Sequence, residues 1–386
     1  MLVERRTVLV LGGGVGGLVA ASVLRRELAS EDRVVLVERS AKHTFWPSLL
    51  WLMSGSRKAE QVQRDLEPLA RRGIEVRHGD ISAIDPERRR VVVDGEALTG
   101  DALVVSLGAA LVPDRVPGLP AAGGNFYTVD GAKQVYDQVA NLRSGRVAVV
   151  VADVPFKCPA APYEAAMLLE SLLRRRRVRD QVTVTVYAAE PTPMGVAGPD
   201  VSRGVVEFVQ QRGIQYRPST KLARVDAAVK RLYFDTGDEA EFDVLAVVPP
   251  HAAPDVVRNS PLAGPNGWIV IDPATCETRF ENVFAIGDVT TVPLKLGKPL
   301  PKAGVFAHGQ AEAVAHTVAA RLRGRAHAQT FDGHGECFIE MGGGVAGFAR
   351  GNFYAEPAPQ VQMYRAGRHW HAAKVAFERN WWRTWF

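Results

Sequence analysis

Cysteine is scarce in this sequence, with three residues, Cys158, Cys276 and Cys337, in 386. That excludes the disulfide-stapled scaffold of small secreted proteins, so a cysteine pair here points to catalysis or redox chemistry. No uncharged apolar run is long enough to cross a bilayer, and the first strand begins with no signal peptide ahead of it. Both absences place the chain on the cytoplasmic side, touching a membrane only from its surface. A strong charge is lacking too. The net charge of +5 and the pI near 9.1 permit an anionic surface without requiring one, and no nucleic-acid partner is expected. Glycine is missing where it is most wanted, with none from Arg146 to Met194.

The length exceeds a single typical core and indicates two or three domains. Near the N-terminus, "TVLVLGGGVGGLVAASVL" reads as a β-branched strand, then Gly12, Gly14 and Gly17 at G-x-G-x-x-G spacing, then a helix. The following strand, "RVVLVE", ends in Glu38, where an acid can hold ribose hydroxyls. Glycines at that spacing let backbone approach a pyrophosphate at the helix N-terminus.

The pattern recurs 140 residues on, where Gly12, Gly14 and Gly17 correspond to Ala152, Val154 and Lys157. "RGIEVR" (72–77) corresponds to "RGIQYR" (212–217), and "RRRVVV" to "KRLYFD". Two related βαββ units in tandem predict paired dinucleotide-binding domains. In the second unit the phosphate loop is disabled. Val154 and Lys157 carry side chains where bare backbone is needed, and Pro155, Pro159 and Pro162 have no N–H to donate. That unit is expected not to bind NAD(P)H, with Glu190 an inherited strand end rather than a ribose ligand.

"FENVFAIGDVT" (280–290) predicts a buried strand ending in Gly287-Asp288, a carboxylate placed for a flavin ribityl chain. "ALVVSLGAA" (102–110) adds a strand and the Gly108 turn. Together with Gly12 to Glu38 they favour FAD over NAD in the first domain. "LPKAGVFAHGQAEAVAHTVAARL" (300–322) predicts a long helix whose N-terminus and Lys302 would face a reduced flavin.

Cys158 lies beside Lys157 and just ahead of the helix opened by Pro162, features that would lower its pKa and favour a thiolate. Cys337 is too far along for C-x-x-C spacing, and Cys276 reads as a small buried hydrophobe. The stretch "RHWHAAKVAFERNWWRTWF" holds four of the seven tryptophans. Trp370, Phe377, Trp381 and Trp385 would share one helical face flanked by Arg368, Lys374, Arg379 and Arg383, suited to a membrane headgroup layer. A docking or dimer helix is the alternative. The basic run "LLRRRRVRD" reads as a solvated helix end.

These segments resemble the sulfide:quinone oxidoreductase family, with its relative, the flavoprotein subunit of flavocytochrome c sulfide dehydrogenase. The resemblance runs from "LGGGVGGL" through "FKCPAAPYEAA", "FENVFAIGDVT" and "LPKAGVFAHGQAEAVA" to "CFIEMGGG" and "KVAFE". It implies an α/β fold of two tandem Rossmann-like, glutathione-reductase-like domains plus a small C-terminal region with an amphipathic helix. The expected divisions are 1–115 and 265–330 for FAD, 116–264 for the degenerate second domain carrying Cys158, and 331–386 for the C-terminal region. By that resemblance Cys158 and Cys337 are a redox pair beside the flavin and Glu164 is an acid/base carboxylate. Lys374 and Phe377 would flank the quinone ring, and no metal is expected. Sulfide would attack a Cys158–Cys337 disulfide or polysulfide bridge, and electrons would pass through Cys337 to FAD and on to a membrane quinone.

Two departures stand out. The third cysteine that many members carry near "NFYTVDGA" is missing around Tyr127, which implies non-covalent FAD. Histidines proposed as proton shuttles have no match in "PMGVAGP" or "TVDGA". Two other readings compete: a type II NADH dehydrogenase, and a membrane-docked flavoprotein sensor without turnover. A homo-oligomer is left open.

Overall fold

The computed structural model describes residues 5–325 and 329–386. Its first sheet is parallel, in the order Val283–Ala285, Ala102–Val105, Thr7–Leu11, Arg33–Glu38, Ile74–His78. The central strand is apolar along its whole length because helices cover both faces, and Val8 to Leu11 are at most 1% exposed. Helix Val15–Glu27 lies against the long helix Gly304–Leu322 on one side. The strand order reverses beside Thr7–Leu11, and such a switch point opens a crevice at the carboxyl ends of the strands.

The second sheet repeats the plan in the order Gln215–Arg217, Val182–Ala188, Gly145–Val151, Val244–Val248. Each sheet has its own three-stranded antiparallel flap, Ile81–Thr99 in one and Leu222–Glu241 in the other. The offset of 140 holds for the strands and breaks at the loop. Helix Val15–Glu27 begins four residues after Leu11, whereas helix Ala161–Arg175 begins ten after Val151. Gly17 therefore lies inside a helix, while Lys157 lies in an extended loop.

Helix Ala161–Arg175 is buried from Ala161 through Leu173, because the second sheet covers one side and strand His334–Gly342 the other. That strand opens an antiparallel sheet with Val345–Asn352 and Gln360–Gly367, and the chain continues into helix Arg368–Trp385. The basic run after Leu173 is not merely solvated. Arg174 and Arg179, joined by Arg212, close on the fully buried Glu170, and Arg176 donates to the carbonyls of Val139 and Leu142. Among the described residues no helix is long and apolar enough to cross a membrane.

Candidate functional site

The glycine loop has the shape its spacing predicts. A Cβ on Gly17 would sit 1.7 Å from the Gly12 carbonyl oxygen, and Gly12 itself holds φ +97° against Ser106. Those two glycines serve close helix–strand approach. Gly14 and Gly108 face open space, with nothing within 4 Å of where a Cβ would stand. Helix Val15–Glu27 starts at Gly14 with no side-chain cap and no acid in its first turn, so its N-terminus is available to an anion. Glu38 accepts from the Gly13 N–H at 2.6 Å and the Ser40 N–H at 2.8 Å, which fixes the carboxylate at the loop's edge.

Gly287, at φ +72°, turns the chain so that Asp288 points inward. The Asp288 Oδ1 atom is buried without a hydrogen-bond partner, and burial raises its carboxyl against the pull of Lys157 and Lys302. An orphaned buried acceptor of this kind fits a sugar-alcohol hydroxyl. Lys302 corrects the sequence reading. Its ammonium turns back, donating to the carbonyls of Asp288 at 2.7 Å and Thr290 at 2.9 Å, over the Trp268 ring at 3.5 Å. Burial lowers it to about 8. Nearby carbonyls satisfy a desolvated ammonium, so Lys302 braces the Asp288 turn.

The cysteine loop is tied to that same segment. The Cys158 N–H donates to the Lys302 carbonyl at 2.6 Å, and the Tyr127 hydroxyl donates to the Lys157 carbonyl at 2.8 Å. Cys158 and Cys337 are both free thiols, and both pack against the core of the second domain. The expected low thiol pKa is overturned. Burial pushes Cys158 up to about 12, with the Glu164 charge adding to it and Lys374 opposing. Burial also raises Cys337, helped by Glu164 and Cys158. Lys157 supplies little compensation, because its ammonium sits 3.9 Å from the Trp46 ring centre. Cys276 is fully buried and raised to about 12, as expected of a structural thiol.

Glu164 and Lys374 are 210 residues apart in sequence and meet at 2.7 Å, both nearly excluded from solvent. The Glu340 N–H donates to the same Glu164 oxygen at 2.8 Å. Burial raises Glu164, whereas for Lys374 the carboxylates of Glu164 and Glu340 outweigh burial and hold the ammonium above its ordinary value. Sequence reasoning missed Glu340 and His371. The Glu340 side chain is 1% exposed, and both its oxygens lie within 3.1 Å of His371 Nδ1. No local spacing marks this contact, since 31 residues separate the two.

Helix Arg368–Trp385 also departs from expectation. Its buried face is Lys374, Glu378, Trp381 and Trp385, with Trp381 3% exposed. Trp381 and Trp385 are core residues, because stacking on His43 and Phe45 and edge contacts with His308 satisfy large rings better than a surface does. Phe377 stays 42% exposed, packing one edge on Phe45 and Phe338. Trp370 stacks on Phe348 at 4.2 Å. Trp381 donates through its indole N–H to His43 Nε2 at 3.2 Å, which leaves the Nδ1–H of His43 to donate to the Gly13 carbonyl at 2.8 Å. Burial lowers His43 to about 4, so this neutral tautomer persists. Glu378 closes the helix against Arg57 and Ser48.

In the second unit the ribose position is occupied: the Tyr163 hydroxyl donates to Glu190. Burial raises Glu190 to about 7.

Two Rossmann-like sheets, an open glycine loop on the first and a thiol-bearing loop on the second define a class. The chain belongs to the pyridine nucleotide-disulphide oxidoreductase family, whose match spans residues 6–313. Within it, the chain is similar to sulfide:quinone oxidoreductases. It is 30% identical over 303 residues to a mitochondrial sulfide:quinone oxidoreductase of Dictyostelium discoideum, covering 74% of this chain and 66% of that one. A sulfide-quinone reductase of Aquifex aeolicus is 27% identical over 96% of this chain and 89% of its own length. The crystal structure of the Aquifex aeolicus sulfide:quinone oxidoreductase superposes with a TM-score of 0.88 at 24% identity, covering 99% of this chain and 91% of that one. The family implies a flavin, and the open glycines and the orphaned Asp288 oxygen fit one.

Proposed function

We propose that this protein oxidises sulfide to polysulfide or sulfur and passes the electrons through non-covalently bound FAD to a membrane quinone. On this reading residues 1–115 and 265–330 hold the FAD, 116–264 present Cys158, and 331–386 bring Cys337, Lys374 and Phe377. The observation that carries it is a pair of half-buried free thiols that pack against one core cluster and both feel the charge of the buried Glu164. The Cys158 loop is fastened, through Cys158 N–H to Lys302 O, to the segment bearing Asp288.

The flavin, when bound, supplies a two-electron relay between sulfur and quinone. The remaining steps belong to this chain. HS⁻ attacks the oxidised Cys158–Cys337 bridge at Cys158, forming a new S–S bond, breaking the old one and releasing Cys337 as a thiolate. Lys374, which draws the Cys337 pKa down against burial, stabilises that charge. Glu164, raised by burial, is placed to take the sulfhydryl proton. Loss of two electrons and one proton from HS⁻ leaves neutral sulfur on the cysteine. Phe377 and Lys374 face the quinone. The exposed Phe377, Arg368, Arg379 and Arg383 support peripheral attachment to the cytoplasmic face of the membrane.

Anaerobic titration of the FAD-loaded protein with sulfide and, separately, NADH tests the reading. Sulfide should bleach the flavin and NADH should not, because Tyr163 holds Glu190 and the second loop carries prolines. Cys158→Ser and Cys337→Ser should each stop bleaching by sulfide, while Cys276→Ser should match the parent. Bleaching by NADH alone would assign the protein to NADH dehydrogenase chemistry instead, and bleaching by neither would favour a sensor.

A further inference from the structure

Quinone reduction has a proton requirement that the residues assigned so far do not meet. Starting from HS⁻, sulfur formation releases one proton, while quinol formation consumes two, so each turnover draws one proton from solvent. The Glu164–Lys374 pair is nearly excluded from solvent, with side chains 3% and 7% exposed. A group in contact with both solvent and this cluster is needed.

We propose that His371 is that group, a proton port acting through Glu340. This proposal rests on the sulfide and quinone reading above. His371 is 33% exposed, and its Nδ1 lies 3.0 Å and 3.1 Å from the two Glu340 oxygens. Glu340 in turn touches Glu164 through its backbone N–H and acts on Lys374 through its charge. His371 and Lys374 are three residues apart on one helix, so they lie on neighbouring positions of the same face.

The charge count points the same way. Glu164 and Glu340 are two buried carboxylates facing one buried ammonium, Lys374. Of the side chains gathered here His371 is the one that reaches solvent, and its Nδ1 already faces both Glu340 oxygens. Arg57 and Lys374 both lie over the Trp51 ring whose edge meets His371, and Arg57 is itself paired with Glu378. A proton taken from solvent at the exposed ring passes to Glu340 and on to the Lys374–Glu164 pair. There it forms the O–H bond of the quinol, and His371 reprotonates from water.

The test is stopped-flow reoxidation of the sulfide-reduced holoprotein by a short-chain ubiquinone analogue, from about pH 6 to 9. The variants are His371→Ala, His371→Gln and Glu340→Gln, each checked for normal FAD absorbance. Reoxidation should fall roughly tenfold to a hundredfold in His371→Ala and lose its pH dependence, and added imidazole should restore it. Reduction by sulfide should stay within about twofold of the parent, since it needs no solvent proton. His371→Gln, which can still donate a hydrogen bond to Glu340 but cannot take up and release a proton, should remain slow. Parental reoxidation in His371→Ala, or recovery in His371→Gln without imidazole, would overturn the port. A parent protein that reduces no quinone would instead overturn the functional reading itself.

Discussion

Cys158 should be a poor nucleophile in its reduced form, by an amount that can be worked out. Burial and the Glu164 charge raise it from 9.0 to about 12. Three units cut the thiolate fraction about a thousandfold at any pH below 9. The surviving thiolate is intrinsically more reactive, by a Brønsted slope of about 0.4–0.5, which returns roughly twentyfold. The net deficit is about fiftyfold against an ordinary cysteine. The assay is peptide-resolved alkylation by iodoacetamide of phosphine-reduced holoprotein, with the same chain in denaturant as reference. Blocked access would also slow alkylation, so the pH dependence is the discriminating readout. The rate should keep rising about tenfold per pH unit past pH 9, where an ordinary thiol levels off. Glu164→Gln, which removes the second cause of the shift, should speed alkylation at pH 8. A plateau near pH 9, or a rate within about fivefold of the denatured reference, would refute this account. It would also undo its mechanistic corollary, that HS⁻ rather than a resting cysteine thiolate starts the reaction.

Three further outcomes are expected. Lys374→Met should destabilise the fold by about 3–5 kcal/mol, read as a lowered denaturation midpoint, because it strands Glu164 in the interior. Freed of its partner, the Glu164 carboxyl rises further. A raised folded pKa costs nothing below the unfolded value and costs more as pH climbs, so this variant should lose stability from about pH 4.5 upward. Adding Glu164→Gln should recover most of the loss, and a loss additive in the double variant would contradict the pairing. Gly17→Ala should yield little folded, flavin-bearing protein, since its methyl group meets the Gly12 carbonyl; Gly14→Ala should fold normally and bind FAD weakly, because its methyl group would enter the open space at the helix N-terminus. Equal flavin content in the two variants would contradict the loop geometry. Trp381→Ala should cost about 3–5 kcal/mol, whereas Arg383→Glu should cost little stability but weaken co-sedimentation with anionic liposomes. Unchanged thermal stability in Trp381→Ala would contradict its place in the core.

The strands and both phosphate-loop positions were legible because parallel strands buried on two faces carry their pattern locally, as Val8–Leu11 and Val147–Val151 do. Cys158 was legible from its unusual loop, whereas the roles of Glu164 and Lys374 were legible only through resemblance, and the structure joins those two with one ion pair. What failed was inference from an isolated neighbourhood. Lys157 beside Cys158 suggested a thiolate, yet sequence does not show that the lysine turns to Trp46 and that burial dominates. The tryptophan-rich helix suggested a membrane face because aromatic periodicity states which residues share a side, not what covers it. Trp381 is covered by residues 330 and more positions upstream. Glu340 and His371 had no signal at all. A carboxylate alternating along a strand and a histidine on a helix become a pair only in three dimensions.

The His43 bridge carries a consequence for biogenesis. The glycine loop leaves the ribosome well before helix Arg368–Trp385, yet the carbonyl of Gly13 is held by a ring whose other nitrogen waits for Trp381, 338 residues downstream of His43. Until that late helix docks, the imidazole lacks its second partner and the ring lacks its aromatic cover. Cofactor capture in its final form therefore belongs to the finished chain rather than to a nascent N-terminal domain. Partial chains made in the cell should hold their flavin loosely however well their first sheet has formed.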